Sequence, residues 1–121
     1  MIASKIIDKA ILMLGYDALK KTGSISGFEA SALSALNIVY ADLFFLFYEE
    51  NFLEITDASQ PVNLPKNVLY DVMPYGVAAF IASSQGDSDN QQFYSEIYNL
   101  KRKKLNVNSE FQDTIVTVQG G

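Results

Sequence analysis

Residues 26–50 read SGFEASALSALNIVYADLFFLFYEE. Ser26 and Glu29 stand at the spacing of a capping box, in which the Ser26 hydroxyl accepts from the Glu29 amide and the Glu29 carboxylate accepts from the Ser26 amide. Behind that start signal Ala32, Leu33, Leu36, Tyr40, Leu43, Phe44 and Phe47 recur at three- and four-residue steps, which predicts a long helix to about Glu50. Phe45 and Leu46 widen the stripe beyond what one core face requires. Two readings follow for Phe44, Phe45, Phe47, Tyr48 and Phe52: they form a subunit interface, or the helix is central and covered on most sides by its own chain.

Upstream, Ile6, Ile7, Ala10, Ile11 and Leu14 make one apolar face of a helix from about Ser4, with Gly15 as its stop and residues 22–27 as a loop. Downstream, Phe52–Thr56, the turn Asp57–Gln60 and Pro61–Leu64 predict a small β-hairpin within 51–64, its ladder limited by Pro61 and Pro65. A further helix starts near Pro65, with Val68, Leu69, Val72, Met73, Val77, Phe80 and Ile81 on its apolar face. Pro74 should kink or split it, because its nitrogen cannot donate and its ring crowds the Tyr70 carbonyl. Gly76, Ala78, Ala79 and Ala82 then permit close approach of another helix. Ser88 and Gln91 repeat the capping-box spacing before a helix to about Leu105 that buries Phe93, Ile97, Leu100 and either Tyr94 or Tyr98. Thr114, Ile115, Val116, Thr117 and Val118 read as a strand that needs a partner, in the hairpin or in a neighbouring subunit. The fold class is mainly α: a bundle of about four helices with a small β-hairpin, over residues 1–106, and a C-terminal strand or arm over 107–121.

At 121 residues the chain is one domain's worth. It has no cysteine, histidine or tryptophan, which removes disulfides, Cys/His zinc sites, imidazole bases and thiol nucleophiles together. The net charge of −5 is uneven. Residues 22–100 hold Lys66 alone against ten acidic residues, while both ends are basic. Such a body disfavours tight wrapping of nucleic acid. The first residues mix charges into the apolar positions and offer no signal-peptide core, and the longest uncharged run, Val72–Gly86, is too short and polar to span a bilayer. No membrane role is expected.

Few constellations carry chemistry. Asp87-Ser88-Asp89 opens like a calcium loop, but Gln92 and Tyr98 occupy the positions that need glycine and a bidentate glutamate, so helix capping is the expected role. Glu49, Glu50 and Glu54 are the densest carboxylates and read as a solvated helix end. No nucleophile–base arrangement or phosphate-binding loop is recognisable, so no enzyme, metal or cofactor is expected. Lys101, Arg102, Lys103 and Lys104 admit three roles: complementing the helix dipole, touching phosphate, or pairing with an acidic partner or neighbouring subunit.

Taken in order, Ile6-Ile7-Asp8-Lys9-Ala10-Ile11, Leu14-Gly15, Ser26 with Glu29, Ala35-Leu36-Asn37-Ile38-Val39, Leu64-Pro65, Tyr75-Gly76-Val77-Ala78-Ala79 and Gly86-Asp87-Ser88-Asp89-Asn90 before Phe93 resemble the head–tail connector, or head completion, proteins of tailed bacteriophages. The resemblance covers roughly residues 3–105. It implies a helical bundle with a small β element that assembles as a ring, commonly of twelve subunits, between the portal and the tail or stopper proteins. It also implies a virion-neck location after assembly in the host cytoplasm, a channel passing DNA without sequence-specific binding, and a terminal arm, here about Asn106–Gly121, on the portal or a neighbour. The sequence departs from that pattern in lacking a tryptophan in the long helix and in its acidic middle. Other readings are a small homodimeric protein-binding adaptor or regulator, and a DNA packaging-associated factor using Lys101–Lys104.

Overall fold

The structure, a computed structural model, describes residues 1–16 and 28–105. Ser26 of the expected capping box and the expected strand Thr114–Val118 lie outside the described residues. The described chain is mainly helical: α1 (Ala3–Leu14), α2 (Phe28–Phe47), α3 (Lys66–Asp71), α4 (Met73–Ser84) and α5 (Ser88–Lys103). Ile6, Ile11, Leu36, Val39, Leu43, Val68, Met73, Val77 and Ile81 fill the space between them and are almost wholly buried. On α2 and α4 they recur at three- and four-residue steps and mark one face of the helix.

Helix α1 ends where expected, on Gly15 with φ of 77°, a left-handed conformation that disfavours a side chain. Its start is capped from afar. Ile2 supplies no side-chain acceptor, and the first amides of the helix are taken by loop carbonyls instead: Ala3 donates to Gln60 O at 2.9 Å and Ser4 to Ala58 O at 2.8 Å.

The hairpin expected within 51–64 does not form; no strand occurs among the described residues. The Asp57–Gln60 turn is present, closed by Gln60 N–H to Asp57 O at 2.9 Å and by Gln60 Oε1 accepting from the Thr56 and Asp57 amides, both at 2.7 Å. Its flanks, however, pair elsewhere. Ile55 donates to Asn37 Oδ1 at 2.8 Å and accepts from Asn37 Nδ2 at 2.9 Å, so one side-chain amide on α2 replaces a partner strand. On the other flank Pro61 makes an isolated antiparallel bridge with Ile2, and Val62 donates to Met1 O at 3.0 Å. Pro61, with no N–H, could not have sustained a ladder inside the loop.

The Pro74 expectation is met as a split at Val72. Asp71 ends α3, Met73 begins α4, and Pro74 occupies the first turn of α4, where its missing donor costs nothing. The Tyr70 carbonyl is not left without a donor, because Lys9 Nζ on α1 reaches it at 3.0 Å.

Beyond Gly86, which has φ of 71°, the chain reverses into α5. The N-cap is Asp87, one residue earlier than the Ser88–Gln91 box predicts: Asp87 Oδ1 accepts from the Asn90 amide at 3.3 Å, and Oδ2 accepts from Asn90 Nδ2 at 2.8 Å. The buried face of α5 also differs from expectation. Tyr98 is buried and Tyr94 half-buried, whereas Phe93 and Leu100 face solvent and Ile97 is only half-buried.

Gly76 explains that choice. A Cβ there would lie 2.8 Å from the Tyr98 ring and 3.0 Å from Val39 Cγ1, so the α4–α5 approach is close enough to seat an aromatic ring against bare backbone. Helix α2 is long and apolar enough over Glu29–Phe47 to cross a membrane by length and composition, but much of that character is the inward stripe that the other helices cover.

Two stability predictions follow from these contacts. Gly76→Ala gains about 1 kcal/mol of helix propensity, yet overpacking against Tyr98 costs about 1–3 kcal/mol; urea unfolding should show a net loss that Tyr98→Leu partly relieves in a double-mutant cycle. Asn37→Ala leaves both polar groups of buried Ile55 without partners and should cost about 1–3 kcal/mol by the same measurement.

Candidate functional site

The basic tetrad sits in the last turn of α5, where positive charge complements the helix dipole. Two of its members are engaged within the chain. Arg102 holds Asp42 of α2 in a forked pair, Nε to Oδ2 at 2.7 Å and Nη2 to Oδ1 at 3.1 Å. Lys101 Nζ pairs with Asp71 at 2.9 Å and lies 5.1 Å from the centre of the Tyr75 ring. Lys101 and Arg102 therefore meet their acidic partners within their own chain. Lys103 and Lys104 are exposed, and their ammonium groups make no hydrogen bond or ion pair among the described residues, so they are the half of the tetrad left for an external anion.

Asp42 is also the acceptor for the buried Tyr98 hydroxyl, at 2.6 Å. Burial, then that carboxylate, pushes the Tyr98 phenol well above its ordinary value, with Arg102 opposing. Tyr16 is raised in the same way, by burial and by Asp87, which accepts its hydroxyl hydrogen bond at 2.5 Å. The Tyr16 and Asn90 donors in turn hold the Asp87 carboxyl below the usual range. Asp87 thus works as a cap and a tyrosine acceptor, the structural role expected of the calcium-like stretch. Among the described residues no group of three or more acidic, histidine or cysteine side chains is placed to hold a metal ion.

The aromatic end of α2 divides in two. Phe44 is 6 % exposed, packed edge-on against Tyr40 at 5.9 Å and Phe52 at 5.5 Å between ring centres. It belongs to the subunit's own core and offers almost no surface for the interface expected of it. Phe47, Tyr48 and Phe52 are half-buried beside it. Phe45 is the outward residue, 60 % exposed, with its ring 6.1 Å from Phe52. Leu53 follows in the extended chain at 80 % exposure. Around them Glu49, Glu50 and Glu54 are exposed, and because α2 stops at Phe47 the last two are not one helical turn apart as a longer helix would have them.

No protein-family model matches the chain, and none of the curated proteins or solved structures compared is significantly similar to it.

The surface that sequence reasoning missed is on α5. Phe93, Ile97 and Leu100 stand at i, i+4 and i+7, with Phe93 56 % and Leu100 60 % exposed. The spacing was legible, but so was the competing stripe Tyr94, Tyr98 and Arg102. The tyrosine face won because its hydroxyls find acceptors in the bundle, Tyr94 on Met13 O at 2.9 Å and Tyr98 on Asp42. The open clefts run along the first half of α2; one of about 460 Å3 is lined by Ile7, Asp8, Ile11, Glu29, Leu33 and Asp57.

The raised tyrosines set a pH dependence. A folded-state value above the unfolded value near 10 means full stability below about pH 10 and loss as the pH rises further. The urea midpoint should begin to fall near about pH 10 and be lower still at about pH 11, and the Tyr16→Phe/Tyr98→Phe protein should show a flatter fall from a lower starting midpoint.

Proposed function

We propose that the chain is a structural subunit of a head–tail connector ring of a tailed phage or prophage, seated on the portal and extending the DNA channel. The observation that carries the reading is the exposure of large apolar side chains at several places on a small bundle: Leu12 on α1, Ile38 and Phe45 on α2, Leu53 beyond it, Phe80 on α4, and Phe93 and Leu100 on α5. A subunit that meets neighbours on two sides needs apolar surface on more than one face. The internal engagement of Lys101 and Arg102 leaves little concentrated positive charge, which suits a wall that DNA passes without adhering. The ordered resemblance of residues 3–105 to connector proteins points the same way.

On this reading the partners are other copies of the chain in a ring, commonly of twelve in the connector proteins it resembles; the portal on one side; and a tail or stopper protein on the other. The location is the virion neck, reached after assembly in the host cytoplasm. The role is geometric rather than catalytic.

The test is to mix the purified protein with a portal protein identified from its genomic neighbourhood and examine the product by negative-stain electron microscopy. An added axial ring is the expected result. A discrete two-fold dimer that ignores intact portal would instead make this a small dimeric binding protein. Binding to free DNA should be weak and vanish at moderate salt; tight binding at about 0.15 M salt would favour a packaging factor using Lys103 and Lys104.

A further inference from the structure

The clefts along the outer face of α2 join into one groove. The cleft between α2 and residues 52–56, of about 620 Å3, shares Ala30, Leu33 and Thr56 with the cleft against α1, and Ala30, Ser34 and Ile38 with a third against α4. Its floor is α2 itself, where the small side chains of Ala30, Ser34 and Ala41 stand at helical spacing around Ile38, which is 49 % exposed. Phe52 lies on one wall and exposed Phe80 on the other. Small residues let a second helix approach closely, and Ile38 offers it apolar area. From Glu29 to Ala41 the floor rises about 18 Å, or about three turns of a partner helix.

The charge on the groove is of one sign. Glu29, Glu54 and Asp57 line it together with Asp8 of α1, and no lysine or arginine does so among the described residues. The carboxylates of Glu29 and Glu54 make no hydrogen bond or ion pair among the described residues, and Asp57 accepts from Ser59, an uncharged donor. That charge sorts the occupants. Residues 106–121 hold Glu110 and Asp113 and no basic residue, so the chain's own C-terminal segment would be repelled. A second copy meeting groove to groove would set carboxylates against carboxylates, and its exposed α5 stripe carries Asp89 and Glu96 beside Phe93 and Leu100. A basic amphipathic helix of a different protein satisfies both the apolar floor and the acidic lining.

We infer that the groove along α2 takes a helix of about three turns from a protein partner, with its apolar side chains on Ile38 and its lysines or arginines against Glu29, Glu54 and Asp57. This occupant does not depend on closure into a ring.

The probe is a fluorescein-labelled peptide of about three helical turns, with leucine spaced i, i+3, i+4 and i+7 and lysine or alanine elsewhere, titrated with the full chain and read by fluorescence anisotropy. Saturable binding is expected, weaker by about tenfold for Glu29→Lys with Glu54→Lys and by several-fold for Ile38→Ser. Glu49→Lys with Glu50→Lys makes the same change in net charge away from the groove lining and should leave binding within about twofold. Circular dichroism of each variant verifies the helical fold.

An equal loss from Glu49→Lys with Glu50→Lys would overturn the inference in favour of general attraction to an acidic protein. Binding that emerges only when Lys20→Ala and Lys21→Ala are introduced would overturn it by assigning the groove to residues 17–27 of the chain itself. A wild-type dimer in sedimentation velocity that Ile38→Ser dissociates would overturn it in favour of a second copy, and no binding by any variant would overturn it outright. Peptide held at the groove by a protein that adds no ring to the portal keeps this partner and rejects the connector reading. A ring with no peptide binding does the reverse.

Discussion

The seat of the Tyr98 ring on Gly76 governs the arrangement of the C-terminal half of the bundle. The ring needs a position without a side chain on α4, and its hydroxyl needs an acceptor once buried, which Asp42 of α2 provides at 2.6 Å. With those two conditions met, α5 can dock in one rotation only. Arg102, one turn further on, then falls beside the same carboxylate and shares it. The interaction is partly exposed, so the ion pair itself contributes little; the buried hydroxyl and the close backbone approach fix the geometry.

That rotation decides which residues face outward. Docking through tyrosines and a guanidinium leaves Phe93, Ile97 and Leu100 on the solvent side, an arrangement opposite to the one that apolar area alone would favour. The aromatic end of α2 is resolved in a similar way: Phe44 is enclosed by Tyr40 and Phe52, and its neighbour Phe45 is carried outward by one helical step. Both outward surfaces are by-products of how inward polar and aromatic groups are satisfied.

Local signals in the sequence were sufficient wherever a single residue imposed the geometry. Gly15 ended α1, Pro74 split the helix around Val72, and Asp57–Gln60 made a turn. The four-step apolar stripes placed α1, α2 and most of α4. Signals failed where two local solutions competed and a distant residue chose between them. The flanks of the turn had the composition of a hairpin, but Asn37 and the first residues of the chain captured their backbone groups. On α5 two stripes were equally periodic, and Gly76 and Asp42 selected the more polar one. Asp87 displaced Ser88 as the cap because Tyr16 also required its carboxylate. Of the surface residues, Phe45 and the two terminal lysines of the tetrad were foreseeable; the α5 stripe was not.

The capping of α1 from the loop has a consequence for how the chain is made. Its first amides have no acceptor until the carbonyls of Ala58 and Gln60 exist, more than fifty positions later in synthesis. On the ribosome the opening turn of α1 therefore stays frayed while α2 is already complete, since a helix end without its cap has little stability of its own. A segment translated before the loop thus waits for it to be closed, and its closure ties the loop to the bundle in the same event.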